Sequence, residues 1–103
     1  MAAATTINVG NKAERQAEKY LVNRGYHVVE RNFRSKLGEI DLVLKKDHAL
    51  VFVEVRYRSD STRGTPAETV TRSKIGKIIR IAEVFLLKNK RFNYYDCRFD
   101  VIA

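Results

Sequence analysis

Residues Gly38–Arg58 read GEIDLVLKKDHALVFVEVRYR, and this stretch decides the fold. It holds two apolar runs, Ile40–Leu44 and Ala49–Val55, separated by the polar break Lys45-Lys46-Asp47-His48. Two strand-like runs joined by so few residues predict an antiparallel hairpin. Three acids, Glu39, Asp41 and Glu54, lie inside or against those runs. Carboxylates beside central strands are costly unless paired, hydrogen-bonded or bound to a cation, so they require a reason.

Alternation along a strand puts residues two apart on one face. It predicts Glu39, Asp41 and Val43 on one side of the first strand, with Ile40, Leu42 and Leu44 opposite. In the second strand Phe52, Glu54, Arg56 and Arg58 share a side, against Val51, Val53, Val55 and Tyr57. A hairpin turning near Asp47 brings Asp41 beside Glu54, with Arg56 on the Glu54 side. Two neighbouring carboxylates raise each other's pKa unless a cation compensates, and hard oxygen donors suit Mg²⁺ or Mn²⁺. An ordinary cross-strand ion pair to Arg56 accounts for the same residues and contributes about 0.2–1 kcal/mol. On this stretch alone the two readings stand side by side.

The 103 residues suffice for one domain with a single core. Twenty Lys and Arg against twelve Asp and Glu give a net charge of +8. Such a surplus on a small chain favours a polyanionic partner, nucleic acid first. Cys97 is the single cysteine, and with two histidines it cannot assemble a zinc site of the usual kind. No apolar run is long enough to cross a membrane, and MAAATTINVG lacks the pattern of a secretory signal. A reduced, cytoplasmic protein is the expectation.

Outward from the hairpin, residues 1–10 read as a flexible leader and 11–103 as one domain. A helix is expected from Asn11 to Gly25, with Ala13, Ala17, Tyr20 and Leu21 on its apolar stripe. Glu18 reads as solvated, and Glu14 as a first-turn acid favoured by the helix dipole. Tyr26–Arg31 follows as a short strand, and Asn32–Leu37 as a polar turn carrying Arg34 and Lys36. Ser59–Thr65 is a loop containing Arg63. Thr65-Pro66-Ala67-Glu68 has the form of a capping box. It opens a helix, bent near Thr71–Ser73, whose stripe is Ile75, Ile78, Ile79, Ala82, Phe85 and Leu86. Lys74 and Lys77 lie on its basic flank. Phe92, Tyr94 and Tyr95 suit either stacking on bases or packing at the sheet edge, the commoner use. Cys97–Ile102 is a last strand with Cys97, Phe99 and Val101 facing inward. The order is αβββαβ, an α/β fold with a mixed central sheet flanked by helices.

Taken with VGNKAERQAEKYL before it and TPAETVTRSK and CRFDVI after it, the hairpin resembles the YraN-like family of uncharacterised bacterial proteins. The resemblance covers about Gly10 to Ile102. That family is similar to the PD-(D/E)XK nucleases, in particular the archaeal Holliday-junction resolvases, whose restriction-endonuclease-like core has this element order. The resemblance implies that Asp41, Glu54 and Arg56 are catalytic positions. It implies that Glu14, Asp41, Glu54 and the Val55 carbonyl hold Mg²⁺ or Mn²⁺, and that the substrate is DNA, with branched DNA a candidate. Arg34, Lys36, Arg58, Arg63, Lys74 and Lys77 are the expected nucleic-acid contacts, and resolvase-like relatives often work as homodimers.

Two departures from that pattern matter. Arg56 stands where such nucleases usually carry Lys, and arginine effectively cannot release a proton. Lys74 is a candidate substitute. Relatives continue past the last strand whereas this chain stops at Ala103, which predicts an exposed sheet edge able to pair with another chain. The alternatives to a nuclease are a nucleic-acid-binding module that has lost the reaction and an adaptor that turns its basic face to an acidic protein.

Overall fold

The computed structural model describes residues 2–56 and 72–102, with the side chains described from residue 12 onward. The elements run α1 (Ala2–Val22), β1 (His27–Ser35), β2 (Gly38–Lys46), β3 (Ala49–Val55), α2 (Arg72–Lys88), a 3₁₀ turn at Lys90–Phe92 and β4 (Asp96–Ile102). The αβββαβ order expected from the sequence is therefore present. One sheet in the order β1-β2-β3-β4 joins all strands, antiparallel except for the parallel pair β3–β4. A parallel pair needs a long crossover, and α2 lies within it. The fold is α/β with a mixed sheet.

The central hairpin forms because Val, Leu, Ile and Phe can be buried on both faces of β2 and β3. On one face Phe33, Ile40, Val43, Leu50 and Phe52 pack against Ile81, Phe85 and Phe92. On the other, Leu42, Leu44, Val51 and Val53 pack against Ala17 and Leu21 of α1. The sheet is thus filled from α2 on one side and α1 on the other. Phe85 is at the centre of the first face, its ring edge-on to Phe33 at 5.2 Å and to Phe52 at 5.7 Å.

Several boundaries differ from the sequence reading. Helix α1 begins at Ala2, well before Asn11, despite the poor helix formers Thr5, Thr6 and Gly10. Gly25 does close it, at φ +93°, a conformation that favours glycine. The expected turn at 32–37 is mostly strand. β1 continues to Ser35, and Lys36-Leu37 alone make the turn before Gly38. The polarity of Arg31–Ser35 reflects an edge strand, with Phe33 its buried residue. On α2 the stripe is rotated: Ile78, Ile81 and Phe85 are buried, whereas Ile75 and Ile79 are exposed. Tyr20 too is exposed, with the Arg24 guanidinium 3.6 Å over its ring. Cys97 is exposed, while Phe99 packs on the α2-side core. Phe92 and Tyr95 pack edge to face at 4.9 Å, as expected of a sheet-edge use, whereas Tyr94 is exposed. The capping box at Thr65–Glu68 lies outside the described residues.

Strict alternation fails in β1 at a register shift between Val28 and Glu30, and in both β1 and β2 near Asp41. Ile40 joins Val43 on the α2 side, while Leu42 and Leu44 face α1. The neighbouring strand shows the same switch. Arg31 reaches Glu18 of α1, whereas Phe33 packs on Phe85 of α2. Asn32, between them, has φ +54°. Both strands therefore exchange faces across the Asn32–Asp41 position.

Candidate active site

β2 and β3 are paired from Lys46↔Ala49 only as far as Leu42↔Val53. Past that point β2 continues with β1 to Gly38, and β3 continues with β4 to Val55. The sheet parts into two halves, and Asp41 and Glu54 stand at the mouth of the split. The Asp41 carboxylate replaces the lost ladder, its Oδ2 accepting a hydrogen bond from the Val55 N–H at 2.8 Å. A strand-bound acid thus occupies the sheet plane rather than a face, which alternation alone does not foresee.

Acids surround Asp41. Burial raises its pKa, and Glu39 and Glu54 raise it further, against the opposing effects of the Val55 N–H and Arg56. The pKa of Glu14, on α1, is raised by burial and by the charges of Asp41 and Glu39, while the Asn32 side chain favours its ionised form. Glu54 has Arg56 beside it, Nη2 to Oε1 at 3.4 Å. That separation is an ion pair without hydrogen-bond geometry: Glu54 Oε2, Arg56 Nε and Arg56 Nη2 are buried without a hydrogen-bond partner among the described residues. Glu39 is bound across the β1–β2 ladder by Arg34, Nε to Oε2 at 2.8 Å.

The structure brings together Asp41 at the parted end of β2, Glu54 and Val55 of β3, and Arg56 just past it. Glu14 comes to Asp41 from the α1 side, whereas Glu54 follows Phe52 on the side of α2. Asp41 links the two acids pairwise. Among the described residues no group of three Asp, Glu, His or Cys side chains is arranged as a ready cage for an ion. The donor chemistry nonetheless suits a hard divalent cation: carboxylate oxygens, one of them without a hydrogen-bond partner among the described residues, and one carboxyl held above its usual pKa by burial and then by neighbouring negative charge.

The expected nucleic-acid contacts separate into groups. Arg34 and Lys36 lie on the β1–β2 hairpin, Arg34 being engaged by Glu39. Lys77 approaches the same hairpin from α2, its Cδ 4.0 Å from where a Cβ on Gly38 would stand. Lys74 lies near the start of the described part of α2, half-buried. Arg58 and Arg63 lie outside the described residues. Glu18, read as solvated, instead makes a two-pronged pair with Arg31, at 2.7 and 2.8 Å, and so ties α1 to β1. The bond holds the Glu18 carboxyl below the usual range. Sequence spacing carries no signal for a partner thirteen positions away.

Comparison with known proteins places the chain. The model of the uncharacterised protein family UPF0102 matches residues 13–103. The chain belongs to that family. A UPF0102 protein of Hahella chejuensis is 47% identical over 98 residues, covering 95% of this chain and 78% of the relative. One from Vibrio parahaemolyticus is 43% identical over 95 residues, 92% and 78% of the respective chains. One from Desulforamulus reducens is 45% identical over 96 residues, covering 92% and 79%. The family match includes all four strands of the parted sheet in this UPF0102 chain. Among its described residues no helix is long and apolar enough to cross a membrane.

Proposed function

We propose that this UPF0102 protein is a metal-dependent endonuclease acting on DNA phosphodiesters, with branched DNA as the substrate class to test first. One observation carries the reading: Asp41 and Glu54 meet where β2 and β3 part, with negative charge crowded around Asp41. Repulsion of that kind is relieved by a bound cation, and clusters of this sort concentrate at functional sites. Asp41, Glu54 and the Val55 carbonyl would hold the ion, with Glu14 entering directly or through water. A bound Mg²⁺ or Mn²⁺ supplies Lewis acidity toward the scissile phosphate and a water of lowered pKa. Arg56 can hold a phosphate oxygen and offset charge on the pentavalent phosphorane. It cannot accept the water's proton, which leaves by way of a carboxylate or solvent. The +8 net charge supports a polyanionic substrate. The reading takes the protein to be cytoplasmic, and a homodimer would present two sites to two strands.

A second reading rests on Arg56 itself. Its guanidinium stands against Glu54 and supplies positive charge to the acids without any ion. On that reading the fold binds nucleic acid and has lost the reaction. Labelled four-way junctions and duplexes incubated with Mn²⁺ or Mg²⁺ separate the two. A nuclease nicks them, and the nicking disappears with EDTA and in Glu54→Ala. Cleavage that appears only in Arg56→Lys identifies Arg56 as the silencing residue. Salt-sensitive binding without cleavage in either protein overturns the enzymatic reading.

A further inference from the structure

The face switch at Asn32 has a part in the site. We propose that Asn32 is the positioning residue of this acid cluster: its left-handed backbone turns Asp41 into the sheet plane, and its side-chain amide orients Glu14. The inference deepens the nuclease reading and rests on it for the role given to Glu14.

Three observations converge. Asn32 has φ +54°, which β-strand residues do not adopt and which asparagine tolerates better than most side chains. It lies between the register pairs Arg31↔Leu42 and Phe33↔Ile40, directly across from Asp41. At this pair of positions both strands exchange faces: Arg31 and Leu42 lie on the α1 side, Phe33 and Ile40 on the α2 side. A strand that rotates between two faces must pass one side chain through its plane. In β2 that side chain is Asp41, and the Val55 N–H receives it at 2.8 Å.

The amide makes the second connection. Asn32 and Glu14 line one cleft with Arg15, Glu18, Arg31 and Leu42, and the Asn32 side chain favours the ionised form of Glu14. An amide N–H donated to a carboxylate fixes the rotamer and leaves the other oxygen for a cation, as groups behind metal ligands commonly do. The backbone twist and the amide thus aim two acids from different elements toward one another.

Asn32→Gly keeps the positive φ at no steric cost and deletes the amide. Asn32→Asp keeps the shape and replaces the donor with a negative charge. Mn²⁺ affinity is read by titration calorimetry on the full chain. Amide spectra verify the fold, and NOEs between the Asn32 side-chain amide and Glu14 report the contact. With wild type binding Mn²⁺, the proposal expects affinity to fall about 10–100-fold in Asn32→Gly and further in Asn32→Asp, in both cases with the fold intact. Unchanged affinity in both variants overturns it. Should wild type bind no Mn²⁺, the nuclease reading fails on its own, and the NOEs decide the positioning: their presence upholds it and their absence removes it.

Discussion

The two ends of the β2–β3 hairpin are built on opposite principles. At the Lys46–Ala49 end the ladder is complete, Asp47 turns the chain at φ +54°, and the strands enclose fully buried Leu44, Leu50 and Val51. Lys46 Nζ there donates to the Arg24 carbonyl at 2.9 Å. At the Gly38–Val55 end the ladder stops early, a side chain substitutes for a backbone acceptor, and acids lie near one another with a buried oxygen unpartnered among the described residues. One end maximises stability. The other spends it on a concentration of charge, the usual mark of a working site.

The sharpest way to break this contrast is to damage the closed end. Leu44→Ala should cost about 2–5 kcal/mol, the range for a fully buried leucine, as a lowered urea midpoint with an unchanged m-value. Gly25→Ala, in the same region, forces a side chain into positive φ and should cost about 1–2 kcal/mol. Thermal melts would register it. Arg31→Ala removes the two-pronged pair with Glu18; because Arg31 is largely exposed, the loss should be at most about 1 kcal/mol and should shrink in high salt. The low pKa of Glu18 makes this contribution present at neutral pH and lost as pH falls through that lowered value.

The smallest effect has the opposite sign and tests the open end most directly. Ionising Asp41 within the fold is unfavourable because its pKa is raised above the ordinary carboxylate value, burial being the first cause. Its neutral form therefore favours the fold at low pH, and that advantage fades as pH rises through the raised pKa. Asp41→Asn keeps an acceptor for the Val55 N–H and removes the charge. It should raise the melting temperature slightly at neutral pH, with the gain vanishing in acid. A lowered melting temperature at pH 7 would mean that the carboxylate stabilises the split rather than straining it.

The hairpin was legible because both faces of β2 and β3 are apolar, and a run such as Ala49–Val55 has few other uses. The acids were legible for the converse reason, as charges where burial makes charge expensive. Alternation predicted Glu54 and Arg56 together, and they are. It failed for Ile40, since a period of two assumes that no residue leaves the β region, and Asn32 does. The polar residues of β1 concealed a strand because an edge needs little apolar surface. Rotation of α2 escaped detection because Ile75, Ile78, Ile79 and Ile81 offer two overlapping stripes, and the sheet selects one. No local rule joins Glu18 to Arg31 or sets Asn32 and Glu14 in one cleft; both arrangements exist only once α1 lies on the sheet.

The parallel strand β4 sets an order of assembly. Val55 pairs with Ile102, and the Arg56 N–H donates to the Ile102 carbonyl at 2.7 Å. The half of the cleft that carries Glu54 and Arg56 is therefore held by residues made long after it during translation. A nascent chain that has emerged only through α2 lacks the clamp on that half, and the split takes its final shape only when the last strand arrives.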